Sequence, residues 1–152
     1  MGRFGLLHAS RPLRHSVFAP ARASTADWSD QRHILVVEDD PALLEIIAMT
    51  IQRAGFVADK ARNGEEAWTA VCNTHYDLVI TDNEIPLLTG VNLIMRLRSV
   101  AAVPPCLLIS GNITGLDSLR RNISPGAVLA KPFSSIELLE NIYSLLLYGG
   151  DE

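Results

Sequence analysis

At four places in this 152-residue chain a polar side chain follows or closes a short apolar run. Glu38 and Asp39 follow Ile34-Leu-Val-Val37, Asp82 closes Leu78-Val-Ile-Thr-Asp82, Ser110 follows Cys106-Leu-Leu-Ile109, and Lys131 follows Gly126 to Ala130. If the runs are parallel strands of one sheet, all these groups meet at its carboxyl edge, where open α/β sheets bind ligands. Three carboxylates held within a few ångströms repel one another, and the pKa of at least one rises unless a cation neutralises them. A hard divalent ion with oxygen ligands is the natural remedy, and few protein ligands plus several waters is the pattern of Mg2+. Lys131 adds positive charge and Ser110 a hydroxyl donor. A carboxylate nucleophile, a metal, a lysine and a hydroxyl are equipment for accepting a phosphoryl group, whose transfer needs charge neutralisation and positioning more than acid–base chemistry. No histidine is placed to act as a base. His8 and His15 fall in the N-terminal tail, His33 before the first strand and His75 before the third, and each reads as solvated or structural.

The patterning supplies the elements that must position these groups. Leu78, Val79 and Ile80 are consecutive and apolar, which suits a central parallel strand covered on both faces, ending on an exposed Asp82. Ile34 to Val37 is a second buried strand, and Pro41 after the acids opens a helix whose apolar face is Leu43, Leu44, Ile46, Ile47 and Ile51, stopped at Gly55. Phe56 to Ala61 reads as a weaker strand. Asn63 caps a helix that carries Ala67, Trp68, Val71 and Cys72 inward. A third helix holds Val91, Leu93, Ile94, Met95 and Leu97 and ends before Pro104. The stretch Asn112 to Asn122, with Ile113, Leu116 and Leu119 as a stripe, is the weakest helix, and Ser134 caps a last one reaching about Leu147. Strand then helix, five times over, predicts an α/β fold: a doubly wound five-stranded parallel sheet, (βα)5 and flavodoxin-like, with strand order 2-1-3-4-5.

Composition narrows the function. Residues 1 to 30 carry Arg3, Arg11, Arg14 and Arg22 against Asp27 and Asp30, a balance of +2, so the remainder is −6. An acidic body argues against a nucleic-acid surface, which needs clustered Lys and Arg. No apolar run approaches the roughly 20 residues that span a bilayer, so no membrane insertion is expected. Cys72 and Cys106 lack metal or disulfide spacing and read as buried free thiols, which fits a reducing cytoplasm. Residues 1–31 hold neither periodicity and read as a disordered tail. Their Arg and Ser content is also that of an organellar transit peptide, with a solvated arm or an early start codon as the plainer readings. The domain is placed at 32–148, with a short tail at 149–152.

From Arg32 to Leu147 the chain resembles the receiver domain of two-component response regulators. The matching motifs are Glu38-Asp39 after Ile-Leu-Val-Val, Asn63-Gly-Glu-Glu-Ala67, Asp82 with Pro86 and Gly90, Ser110-Gly111, and Lys131-Pro-Phe133. The resemblance implies that Asp82 accepts a phosphoryl group from a histidine kinase or histidine phosphotransfer protein. It further implies that Asp39, Asp82 and the main-chain carbonyl of Glu84 bind Mg2+, with Glu38 acting through water, while Ser110 and Lys131 contact phosphate oxygens. Asp40 lies one past the acidic pair and is left out of the metal site. Such a protein is a phosphoacceptor, at most phosphorylating itself from small donors and slowly dephosphorylating, not a turnover enzyme.

The sequence departs from that pattern twice. Receivers usually carry Tyr or Phe three residues before the lysine, a ring that turns inward on switching; here it is Val128, which either packs against the fourth helix or leaves signalling to another movement. Glu84, two residues after the acceptor, is placed to tune dephosphorylation. The last helix is richer in apolar residues than one buried face requires, which suggests a target or a homodimer engaging the fourth and fifth helices. Nothing after the domain supplies an output module, so a stand-alone regulator acting through protein contact is expected. The alternatives are a receiver-like interaction module that does not use phosphate and a phosphatase of the haloacid dehalogenase type, for which Glu84 is a poor substitute for the required second aspartate.

Overall fold

The computed structural model describes residues 32–99, 104–112 and 114–149, so the expected tail at 1–31 and most of the one at 149–152 lie outside the described residues. Five strands, β1 (His33–Val37), β2 (Val57–Ala61), β3 (Leu78–Asp82), β4 (Cys106–Ser110) and β5 (Gly126–Ala130), alternate with five helices. The helices are α1 (Pro41–Arg53), α2 (Gly64–Asn73), α3 (Gly90–Leu97), α4 (Leu116–Ile123) and α5 (Ser135–Tyr148). All strand pairs are parallel and the order is 2-1-3-4-5, as the sequence predicts.

Alternation along each strand divides the core in two. Ile34, Val36, Ile80, Leu107 and Ile109 face α1 and α5, meeting Leu44, Ile47, Ile51, Leu138 and Ile142. Leu35, Val37, Val79 and Leu108 face the other way, onto Ala67, Leu93, Ile94, Leu97 and Ile123 of α2, α3 and α4. β3 and β4 are buried at every position, whereas β2, at the sheet edge, is buried only at Ala61.

Helix starts follow local chemistry. The Asn63 side chain accepts from Glu66 N at 2.8 Å, and Ser134 and Glu137 form a reciprocal capping box. α4 has no such signal: Gly115 at φ +75° precedes it without a side-chain cap, and the helix is short. That explains why its sequence is the hardest to read. It starts at Leu116, later than the expected Asn112; Ile113 and the side chains of Leu116 and Leu119 lie outside what is described.

Several expectations are corrected. Phe56 is not in β2; it precedes the strand and is buried in the core beneath α1. Cys72 is exposed, since it falls on the outer side of the last turn of α2, while Cys106 is buried in β4 and its thiol is pushed up to about 12 by burial. Ile46 is 60% exposed, so the buried face of α1 is narrower than its apolar content.

Candidate functional site

Strand register sets the carboxyl edge. Val37 pairs with Thr81, so Glu38 lies level with Asp82; Asp82 pairs with Ile109 and Ser110 with Ala130, one step further out. The ladder continues past the strand ends through Glu38 N to Ala61 O, Asn83 N to Ile109 O and Lys131 N to Ser110 O, all within 3.0 Å. The first residues of three loops are thereby held as firmly as the strands.

Glu38, Asp39 and Asp82 each offer an oxygen, and the three lie within 4.8 Å of one another. Lys131 Nζ donates to Asp82 Oδ2 at 2.8 Å and stands 3.7 Å from Glu38 Oε2. Asp82 is 4% exposed, which corrects the expectation of an exposed acid. The carboxylate at the end of a fully covered strand is roofed by the loops, and Lys131 pairs with it there. Glu38 is 2% exposed, and burial, with the nearby Asp82 charge adding to it, pushes its carboxyl up to about 7. A pKa is raised as expected, but desolvation rather than repulsion leads. Burial works against the Lys131 charge, yet its hydrogen bond to Asp82 and the surrounding carboxylates outweigh this and hold its pKa above the ordinary lysine value.

Glu38 Oε1 accepts from Asp40 N at 3.1 Å, while Oε2 is buried without a hydrogen bond. A buried carboxylate oxygen lacking a donor, beside two further carboxylates, fits a hard divalent cation with oxygen ligands. Asp40 has another task. Its side chain caps α1, accepting from Ala42 N at 2.9 Å and Leu43 N at 3.4 Å.

The loop after Asp82 is tightly constrained. Glu84 N donates to Asp82 Oδ1 at 3.2 Å, and the Glu84 side chain is exposed. Asn83 holds the loop to α3, its carbonyl accepting from Gly90 N and its Oδ1 from Val91 N, both at 3.1 Å. A Cβ at Gly90 would meet the Asp82 carbonyl oxygen, so only glycine lets α3 begin this close to the strand. Leu88 N donates to Pro86 O at 2.9 Å around Leu87, whose φ of +71° places it in a γ-turn with its side chain 76% exposed. In the sequence Gly90 stands only as a motif residue and Asn83 has no assigned role, although an Asn directly after the acid and a Gly seven residues later are the readable signals.

Ser110 is fully buried and its hydroxyl is engaged locally, donating to Asn112 O at 2.8 Å and accepting from Asn112 N at 3.2 Å. Val128 is half-buried and packs with the α2–α4 side of the core. His33 and His75 sit at the opposite end of the sheet, where His33 N donates to Asp77 Oδ2 at 2.8 Å; His8 and His15 lie outside the described residues. No helix among the described residues is long and apolar enough to cross a membrane.

A Response regulator receiver domain family model matches residues 34–143. Over 118 residues the chain is 36% identical to the probable transcriptional regulatory protein SilR of Salmonella typhimurium, covering 76% of this chain and 51% of that protein. It is 34% identical over 124 residues to protein RcaC of Microchaete diplosiphon, covering 78% of this chain and 18% of the relative. The chain therefore spans about half or less of the length of these curated relatives. Among solved structures, response regulator protein TrrA from Thermotoga maritima, in complex with Mg2+-BeF, matches with a TM-score of 0.68 at 30% identity over 75% of this chain and 98% of its own.

Proposed function

The chain belongs to the response regulator receiver domain family, and from that membership we propose that it accepts a phosphoryl group on Asp82 in a two-component or phosphorelay pathway. The observation that carries this reading is the Lys131–Asp82 contact at 2.8 Å inside a cluster of three carboxylates. Asp82 is the nucleophile: one carboxylate oxygen bonds to phosphorus as the bond to the donor imidazole nitrogen breaks, and that nitrogen keeps the electron pair. Asp39, Asp82 and the Glu84 main-chain carbonyl would hold a Mg2+ ion, with Glu38 contributing through water. A bound Mg2+ supplies the charge neutralisation that lets an anionic phosphoryl group approach these acids. Lys131 moves its hydrogen bond from the Asp82 carboxylate to a phosphoryl oxygen, and Ser110 must leave Asn112 to donate to another.

The donor is a histidine kinase or histidine phosphotransfer protein, and the site turns over one phosphoryl group at a time and not a free substrate. Glu84 projects from the loop beside Asp82 and tunes the lifetime of the acyl phosphate. Val128 cannot make the rotation of an aromatic ring, so the response runs through the Ser110 to Asn112 turn toward α4. The output is protein contact through α4 and α5, with a target protein or a second copy as the other side; on α5, Ile136, Leu147 and Tyr148 are 70%, 56% and 71% exposed. A cytoplasmic location agrees with this chemistry and with the free thiols.

Intact-mass analysis after incubation with Mg2+ and a small acyl phosphate donor tests the reading, with Asp82→Ala and a metal-depleted sample alongside. One labile phosphate that needs both Asp82 and metal is expected. A folded, unmodified protein under every donor, protein donors included, would instead favour an interaction module that does not use phosphate, which the valine at 128 also suits.

A further inference from the structure

We propose that the turn leading from β2 into α2, Arg62 to Gly64, is a positioning element of the metal site: through Gly64 it sets the main-chain carbonyl of Glu84 against Glu38 and Asp39. The inference rests on the reading that these groups hold Mg2+. The turn carries no acid of its own, so it acts through the loops on either side. On one side Glu38 N donates to Ala61 O at 3.0 Å, which ties the loop after β1 to the residue just before the turn. On the other, Gly64 N donates to Pro86 O at 3.5 Å. Gly64 is buried, and a Cβ on it would strike Leu88 Cβ and lie 2.7 Å from the Leu88 carbonyl oxygen. Neither atom is the far end of a flexible side chain. Only glycine lets the loop after Asp82 seat this closely on α2.

The seat is stiff. Asn63 Oδ1 accepts from Glu66 N and Glu66 Oε2 accepts from Arg62 N, both at 2.8 Å, so the turn is tied to the first turn of α2. The loop that rests on it has two kinds of anchor. Asn83 belongs to the sheet, its N–H donating to Ile109 O at 2.9 Å and its carbonyl accepting from Gly90 N at 3.1 Å. Residues 85–88 belong to the α2 side: Ile85 is 7% exposed, Leu88 packs against the same part of the core, and Pro86 and Leu88 meet Gly64. Glu84 is the one residue between the two anchors. Pushing the seat outward moves the second anchor and not the first, and the peptide joining Glu84 to Ile85 must turn to follow. A binding constellation works only when its groups are held to within about 0.5 Å, so the seat governs how well the carbonyl serves the metal while the acids stay in place.

Backbone amide spectra of the full chain test this, first without metal and then through a Mg2+ titration, for Gly64→Ala, Leu88→Ala and Thr69→Gly. Thr69 is exposed in the middle of α2, so glycine there weakens the helix without touching the seat. In the metal-free protein the Glu84 and Ile85 signals are expected to move in Gly64→Ala and Leu88→Ala and to stay in place in Thr69→Gly. The Kd for Mg2+, read from the Asp39 and Glu84 signals, should rise about tenfold in Gly64→Ala and about threefold in Leu88→Ala, with Thr69→Gly unchanged. A folded Gly64→Ala with unaltered affinity, or equal losses in Gly64→Ala and Thr69→Gly, would overturn the proposal. Should Gly64→Ala not fold, unaltered affinity in Leu88→Ala overturns it instead. No Mg2+-dependent shift in the unsubstituted protein would overturn the metal reading, and the metal-free spectra would still decide whether Gly64 positions the Glu84 carbonyl.

Discussion

Lys131 and Asp82 close a hydrogen bond of 2.8 Å between the ends of β5 and β3, two strands that β4 keeps apart in the sheet. The contact therefore spans a strand instead of following the ladder, and it sits where β4 ends at Ser110. It is the cation's one strong anchor, since Glu38 Oε2 is 3.7 Å away.

Replacing Lys131 with Met leaves Glu38 and Asp82 buried without their cation. Removing one partner of a buried pair is costly because the other charge stays. With Lys131 about 29% exposed at its side chain, the loss should be nearer about 1–3 kcal/mol than the full buried-pair figure. Urea unfolding in the absence of metal measures it, and added Mg2+ should recover part of the loss if the acids bind it.

Glu38 gives the metal-free protein a pH signature. Its folded pKa of about 7 lies above the ordinary 4.5, so the native state binds a proton that the unfolded chain has released. Between those values stability falls as pH rises, and it levels off above about 7. The full change is on the order of 3 kcal/mol at most. Lys131, with its pKa raised from 10.5, stays charged throughout this window. Urea midpoints from pH 4.5 to 8 in a chelator should decline, and Glu38→Gln should flatten that limb.

Glu84→Asn should shorten the life of the acyl phosphate. The exposed carboxylate puts negative charge beside the phosphoryl group and discourages the approach of hydrolytic water or its developing charge. One charge in a solvated position is worth about 1 kcal/mol, so a change of roughly two- to fivefold is expected. Loss of phosphorylated mass after donor removal gives the rate. An unchanged rate would assign Glu84 to solvent alone.

Gly90→Ala should unfold the site edge. The new methyl would strike the Asp82 carbonyl oxygen and lie 2.9 Å from Asn83 Cα, both backbone atoms that cannot swing aside. A loss of about 2 kcal/mol or more is expected by thermal or urea unfolding. Gly111→Ala, where a Cβ meets nothing within 4 Å, is the control and should shift stability little.

Leu87→Asn should have the opposite sign. Leucine at φ +71° is strained and, being 76% exposed, gains little from packing. Asparagine adopts that conformation more readily, and a gain of about 0.5–1 kcal/mol in urea is expected.

Much of this was legible because the signals are local. Apolar runs ending in Glu38, Asp82, Ser110 and Lys131 mark strand ends, and parallel strands align those ends without further information. Proline at 41 and the asparagine and serine caps mark helix starts. What stayed hidden depends on contacts between distant segments. The burial of Asp82 needs the loops and Lys131 above it, and the exposure of Cys72 depends on which side of α2 its last turn presents. The engagement of the Ser110 hydroxyl with Asn112 depends on a turn with no distinctive composition. α4 was least readable for a physical reason: it begins after an uncapped glycine and has only two turns to show a period.

The capping of α1 by Asp40 carries one more consequence. α1 begins two residues past Asp39, so its amino-terminal end points into the neighbourhood of the acid cluster. A helix carries roughly half a positive charge at that end. α1 is thus a built-in electrostatic contributor to the site, favouring anions there whether or not a cation is bound. Because it is fixed by backbone dipoles, that contribution cannot be titrated away or chelated, and a bound phosphoryl group would feel it through every pH at which the helix is intact.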